Sequence, residues 1–320
     1  METQALNWMV DTELAGFDCL TLQYPDDYDG TVEATLIRHE SASPTQQAVL
    51  YIHGYGDYFF QTHLAEAFNA HGYHFYALDL RKYGRSLRPH HHANFCKSLE
   101  EYFPEIDDAI QIITAQHHIE RLVLKGHSTG GLIASLYATS GTYRNRVDGL
   151  VLNSPFFDWY LPAMAKRAIP ILGTMGAVFP FLALEDNKPV PYFLSLYEDY
   201  HGEWYMNKAW RPLTGFPIYS GWVRAINKAH QCVREGLTID CPILMMSSDK
   251  SYQASSWTPV YQTADTILNV EHMCAHIKYL GDRVTHIEIV DGQHDLFLSR
   301  ADVREKATEA LFLWLDNLVS

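Results

Sequence analysis

Acyl transfer by a side-chain hydroxyl needs a nucleophile held clear of its backbone, a base that takes its proton, and donors for the oxyanion that forms. The run Arg121-Leu122-Val123-Leu124-Lys125 has the pattern of a buried strand and leads straight into Gly126-His127-Ser128-Thr129-Gly130-Gly131, which opens an apolar helical stretch. In a strand, turn and helix of this kind, the central serine takes a strained backbone conformation that lifts its hydroxyl. A Cβ two residues to either side would collide with the neighbouring strand and helix. Gly126 and Gly130 meet that demand, so Ser128 is the candidate nucleophile. The following helix would bring the Thr129 N–H and its positive dipole end to the place where oxyanion charge develops. A glycine turn without chemistry is the bland alternative, and the flanking strand and helix weigh against it.

The base must come from elsewhere in the chain. The apolar run Thr285 to Val290 ends in Asp291-Gly292-Gln293-His294-Asp295, shortly before a C-terminal helical pattern. A neutral imidazole at that strand end can take the Ser128 proton and return it to the leaving group. Of the 17 histidines, His294 alone stands at a strand end in the order serine, acid, histidine. Two aspartates compete for the acid. Asp249 directly follows the strand pattern Pro242 to Ser248, whereas Asp265 lies further on, in Thr263-Ala264-Asp265-Thr266-Ile267-Leu268. A second oxyanion donor is offered where the run Val49 to Ile52 ends in His53-Gly54-Tyr55-Gly56. This resembles the oxyanion loop of α/β hydrolases, and the resemblance implies the Tyr55 N–H.

The elements that must hold these residues are short apolar runs alternating with helical ones. Strands are expected at Val32 to Arg38, Ala48 to His53, His74 to Leu80, Arg121 to Lys125, Gly149 to Asn153, Pro242 to Ser247 and Thr285 to Val290. Apolar residues at helical spacing mark Leu64 to Ala70, Ile106 to His117, Gly131 to Thr139 and Val303 to Leu318. The alternation describes an α/β class fold with a mostly parallel, doubly wound sheet. From Phe156 to about Gly236 the rhythm stops and prolines and large aromatics dominate, among them Trp159, Trp204, Trp210 and Trp222. A structureless loop of that length is rare, so 156–236 is expected to be a helical cap inserted over the strand ends. The catalytic core is then 1–155 with 237–320.

On these residues the whole chain resembles the α/β-hydrolase family that groups monoacylglycerol lipases, lysophospholipases and serine aminopeptidase-like enzymes. The likeness rests on His53-Gly54, Asp79 to Ser86, the Ser128 turn and Gly292 to Asp295. In those relatives the acid stands in an Ala-Asp-x-(Ile/Val)-(Val/Leu) sequence about thirty residues before the histidine. The resemblance therefore implies Asp265, with Lys250 to Gln262 an insertion between strand end and acid and Asp249 the alternative. It further implies cleavage of carboxylic esters, of the monoacylglycerol or lysophospholipid type or other apolar acyl esters. Two other readings stand beside it. An aminopeptidase-like enzyme would need a carboxylate in the cap for a substrate ammonium, from Glu185, Asp186, Glu198, Asp199 or Glu203. A ligand-binding protein could keep the pocket without turnover.

Composition bounds the partners. With 24 Lys and Arg against 38 Asp and Glu the net charge is −14, which repels phosphate backbones and makes nucleic acid an unexpected partner. The five cysteines, Cys19, Cys96, Cys232, Cys241 and Cys274, are scattered and form no C-x-x-C pair, which fits a reducing compartment. The start, Met1-Glu2-Thr3, shows no basic segment with an apolar run, and a cytoplasmic location is expected. Ala168 to Leu184 is uncharged for 17 residues but holds Pro170 and Pro180 and falls short of the roughly 20 residues a span needs. It is expected to be a buried or groove-lining part of the cap, without stable membrane insertion. Walker A and G-x-G-x-x-G patterns are absent, so no nucleotide or nicotinamide cofactor is implied. His90-His91-His92 is expected to be a solvated loop rather than a metal tract. The pair His272 and His276, four apart on a helical stretch, lacks an H-E-x-x-H core or a third ligand motif for a metal, and Arg81 and Arg85 are expected to be parts of the loop architecture.

Overall fold

The computed structural model describes residues 6–184 and 188–318. In chain order these form β1 (Met9–Val10), β2 (Asp18–Asp27), β3 (Gly30–His39), β4 (Gln47–Ile52), α1 (Thr62–Ala70), β5 (His74–Asp79), α2 (Phe103–His117), β6 (Arg121–His127), α3 (Thr129–Ser140) and β7 (Gly149–Asn153). There follow α4 (Ala163–Val178), β8 (Ala183–Leu184), α5 (Pro191–Leu194), β9 (Ile218–Tyr219) and α6 (Ser220–Glu235). The chain then returns through β10 (Ile243–Ser248), α7 (Val270–Cys274), β11 (Val284–Ile289) and α8 (Ala301–Asp316).

Among the described residues, nine strands make one sheet in the order β1-β2-β3-β5-β4-β6-β7-β10-β11. From β5 to β11 all neighbours are parallel, while β1, β2 and β3 run antiparallel at one edge. The central strands are apolar on both faces, as a sheet covered on both sides requires. In β4 the alternation sends Leu50 and Ile52 towards α2, α3 and α6, and Val49 and Tyr51 towards α1 and α8. Register then fixes the site. Ile52 lies opposite Gly126, His127 opposite Asn153, and Ser248 opposite Ile289. The loops after β4, β6, β10 and β11 therefore open together at the carboxyl ends of the parallel strands, where doubly wound sheets bind ligands.

The seven expected strands and four expected helices are present with ends shifted by a few residues. One expectation is corrected in part, since Ala183 lines a cavity but most of its uncharged run is not buried. Ala168 to Leu184 is largely exposed, with Ile171, Val178 and Phe179 each more than 60% accessible. Within α4 the buried residues are Gly173 and Gly176, where added side chains would run into α6. Close packing through two glycines leaves the opposite face of the helix to solvent. No helix among the described residues is long and apolar enough to cross a membrane. Glu185 and Asp186 lie outside the described residues.

Candidate active site

Ser128 stands between β6 and α3 with φ 53° and ψ −119°, a region that side chains rarely adopt. The glycines around it explain how the turn closes. A Cβ on Gly126 would run into the Gly130 backbone, and one on Gly130 into the carbonyl oxygens of Ile52 and His53. The strained serine is fixed by its N–H, which donates to Asn153 O (3.0 Å), and by its carbonyl, which accepts from the N–H groups of Gly131 and Phe156 (3.0 Å each). Its Oγ lies 2.9 Å from His294 Nε2, and His294 Nδ1 lies 2.9 Å from Asp265 Oδ2. A carboxylate acceptor at Nδ1 assigns the ring proton there, leaving Nε2 to accept from the serine hydroxyl. Ser128, His294 and Asp265 are all buried.

The insertion between Lys250 and Gln262 does not carry Asp265 away from His294. The Asp265 N–H donates to Lys250 O (3.0 Å) and the Tyr252 N–H to Asp265 O (2.9 Å), so the chain loops out and returns beside the end of β10. Asp265 Oδ1 accepts from the N–H groups of Ile267 (2.9 Å) and Leu268 (2.7 Å), which leaves Oδ2 for the histidine. Asp249 takes a different place. Its Oδ1 accepts from the Asp291 N–H (2.8 Å) and its Oδ2 lies 3.6 Å from Lys250 Nζ, so it braces the loop that carries His294.

The loop after β4 passes directly over the serine, since a Cβ on Gly54 would stand 3.1 Å from Ser128 Cβ. The N–H groups of Tyr55 and Thr129 donate to no described residue. His53 orients the first of them. The Leu80 N–H donates to its Nε2 (3.1 Å), so Nδ1 carries the proton and donates to Gly54 O (2.8 Å). In a planar trans peptide the Tyr55 N–H must then point the opposite way from that carbonyl.

Sequence reasoning missed a buried polar network behind the histidine. Asp295 accepts from Asn153 Nδ2 (2.8 Å), Gln61 Nε2 (2.7 Å) and the Phe297 N–H (3.1 Å), and its own N–H donates to Tyr192 Oη (3.1 Å). It thus ties the His294 loop to β7, to Gln61 just before α1 and to the inserted segment. Burial opposes ionisation of Asp295, yet His127, Lys125 and the two amide donors outweigh it and hold the carboxyl down at about 2. Burial pushes Lys125 down to about 8; its Nζ has no hydrogen bond and lies 4.3 Å from the Phe297 ring centroid. Burial likewise holds His127 at about 3. Asp57, His127 and Asp295 bring ligand-type atoms within 4.8 Å of one another. Arg211 and Lys125 already supply the positive charge that these two carboxylates call for, which disfavours a cation there. Nothing in the spacing of Lys125, Asp57 and Arg211 along the chain signals that they meet.

The remaining candidates bond away from the serine and histidine. Arg81 pairs with buried Glu105, Arg85 with Asp11 and Asp79, His90 and His91 bond to Thr31 O, His92 to Asp29, and His276 to His272 O. Ser128 and His294 open into a cavity of about 1050 Å³. Its walls are mainly apolar, with Phe156, Trp159, Phe193, Ile218, Trp222 and Leu268, and its charged residues are Asp57, Lys188 and Arg211.

Sheet order, strand-end loops and the turn at residue 128 together define an α/β hydrolase. The chain belongs to the family described as Serine aminopeptidase, S33 (Hydrolase_4), whose sequence profile matches residues 43–252. It is similar to a putative monoglyceride lipase of Schizosaccharomyces pombe, 32% identical over 109 residues that cover 33% of this chain and 28% of that protein. It is also similar to the 1-acylglycerol-3-phosphate O-acyltransferase ABHD5 of Rattus norvegicus, 32% identical over 110 residues, 33% of this chain and 30% of that protein. The match thus spans less than a third of the length of either relative. A crystal structure of a soluble variant of monoglyceride lipase from Saccharomyces cerevisiae in complex with a substrate analog shares the fold. Its TM-score is 0.67 at 16% identity, covering 94% of this chain and 97% of that one.

Proposed function

We propose that this α/β hydrolase is a serine esterase that cleaves carboxylic esters of apolar acyl groups, monoacylglycerol- or lysophospholipid-like, through an acyl-enzyme. The observation that carries the reading is the unbroken hydrogen-bond line from Ser128 Oγ through His294 to Asp265, opening into a mainly apolar cavity. His294 takes the Ser128 proton as Oγ attacks the ester carbonyl, and Asp265 stabilises the imidazolium. The Tyr55 and Thr129 N–H groups hold the oxyanion, the alcohol leaves with the proton from His294, and water repeats the cycle on the acyl-enzyme. Residues 156–236 act as the cap that roofs this cavity over the core of 1–155 and 237–320. At about 1050 Å³ the cavity is at or above the upper end of ligand pockets, larger than a short acyl ester needs.

Aminoacyl amides fit less well. An ammonium needs an unpaired carboxylate, and among the described residues the carboxylate lining the cavity is Asp57, which is bonded to Arg211. Asp199 pairs with Lys208 and Glu203 with Arg304, and neither they nor Glu198 line the cavity. A binding protein without turnover has no need of an aligned serine, histidine and aspartate. The test is labelling with a fluorophosphonate and peptide mapping. The wild-type chain takes up the label at Ser128, and Ser128→Ala neither labels nor turns over p-nitrophenyl esters. An unlabelled wild-type chain would sink the reading.

A further inference from the structure

The loop that carries the Tyr55 N–H is hydrogen-bonded to the inserted segment. Tyr55 Oη donates to Pro217 O (2.7 Å), Asp57 Oδ1 accepts from Arg211 Nη1 (2.5 Å), and Tyr58 Oη accepts from the Asn207 N–H (2.7 Å). The backbone groups of Tyr55, Gly56 and Asp57 bond to no described residue. The Tyr58 N–H turns back on Asp57 Oδ1 (3.0 Å), and core anchoring resumes at Phe59, whose N–H reaches Asp79 Oδ1 (2.8 Å). Between the Gly54 carbonyl, held by His53, and Phe59, the hydrogen bonds that tie the loop to other segments are therefore side-chain links to residues 207–217, beside packing of the Tyr55 ring on Trp222 and Tyr83. Of these, the Asp57–Arg211 pair is charged on both sides and buried on both, 2% and 3% exposed. Asp57 Oδ2 and Arg211 Nε have no other partner. In a low-dielectric setting such a contact is strong, directional and intolerant of displacement.

We propose that Arg211 is a positioning residue for the oxyanion donor. Its guanidinium, delivered by the inserted segment, holds Asp57 and through it the stretch Gly54–Asp57, so that the Tyr55 N–H faces Ser128 only while residues 207–217 are seated. The proposal rests on the serine-esterase reading and adds to it that seating the cap and completing the oxyanion site are one event. Arg211 lines the same cavity as Ser128 and His294, and its side-chain hydrogen bond goes to Asp57 rather than to either of them. Its effect on rate runs through a peptide group two residues before its partner, and misplacing one oxyanion donor costs transition-state binding rather than substrate binding.

Removing one member of a buried pair leaves an uncompensated charge and can unfold the chain, so the decisive variant is the neutral double Asp57→Asn with Arg211→Met. Steady-state kinetics on a soluble p-nitrophenyl ester, the rate of fluorophosphonate labelling and the thermal midpoint are measured for wild type, each single variant, the double variant and Arg211→Lys. Lys208→Met, an exposed site on the same segment, is the control. The double variant is expected to melt closer to wild type than either single variant does. Its kcat and labelling rate fall about 10- to 100-fold, with KM within about threefold and Arg211→Lys recovering part of the loss. Lys208→Met behaves as wild type. A double variant with wild-type kcat, or one whose loss lies in KM with kcat unchanged, overturns the proposal. If the wild-type chain itself fails to label at Ser128, it is the esterase reading that falls; a labelled wild type beside a fully active double variant overturns only the role of Arg211.

Discussion

Two carboxylates near His294 differ in what they touch, and that difference decides what each substitution does. Asp265 Oδ2 meets the imidazole, whereas Asp249 meets a backbone N–H of the same loop. Asp265→Asn removes the acceptor that sets the tautomer and stabilises the imidazolium, and kcat should fall by about 10³ to 10⁴. Asp249→Asn keeps an oxygen for the Asp291 N–H and should cost less than about tenfold; the reverse order, read by steady-state kinetics, would refute the assignment. Lys125 offers a second prediction. Burial brings its ammonium down to about 8 from 10.5. Below pH 8 the lysine is protonated both folded and unfolded, and the fold bears the whole net cost of its burial beside Asp295, about 3 kcal/mol. Between pH 8 and 10.5 the folded chain sheds the proton first, so wild-type stability gains with rising pH. Lys125→Met should therefore be more stable than wild type at pH 7, with the advantage shrinking by pH 10.5. Urea unfolding of both proteins at the two pH values checks the sign.

Among the elements, the turn from β6 to α3 has no slack. A Cβ on Gly130 would meet the carbonyl oxygens of Ile52 and His53, which are backbone and cannot swing aside. Gly130→Ala should destabilise the chain by about 1–3 kcal/mol or more, and because the His53 carbonyl must move, it should also lower kcat in whatever fraction stays folded. Both are read by thermal melting and ester turnover. This turn was legible because its glycines are demanded by geometry and its flanking runs are periodic. Other elements were missed although a signal existed: β2 alternates Leu20, Leu22 and Tyr24, and α6 places Trp222, Ile226, Ala229 and Val233 along one buried face. The helix α4 hid behind Pro170 and an apolar run with no polar face, and the same run suggested burial where packing through Gly173 and Gly176 leaves it exposed. The acid needed family likeness, because its delivery depends on the Lys250 and Tyr252 hydrogen bonds to the Asp265 backbone, which no local pattern encodes. Links such as Asp57 to Arg211, 154 residues apart, were invisible for the same reason.

For the molecule as a whole, the esterase reading places specificity where residues from between β7 and β10 and residues from outside that segment enclose the cavity over Ser128. Tyr55 and Leu268 come from the core side of that enclosure, while Phe156, Phe193, Ile218 and Trp222 come from the segment between β7 and β10, so an acyl chain entering it is desolvated on both sides. Each methylene buried contributes about 0.8 kcal/mol, or about fourfold in kcat/KM. In a p-nitrophenyl ester series from acetate upwards, kcat/KM should climb at up to that slope until the chain fills the cavity, then level off. Narrowing the cavity from the segment side, with Ile218→Trp, should move the plateau to shorter chains while leaving the acetate ester within about threefold of wild type. Aminoacyl p-nitroanilides should react at least about 100-fold more slowly than the best ester, because Asp57 is committed to Arg211 and no ammonium can recover the cost of its own desolvation against apolar walls. A flat chain-length profile would mean that the apolar walls do not hold the acyl group. Faster anilide cleavage would mean that a carboxylate reaches the cavity after all, and would turn the reading from ester to amide.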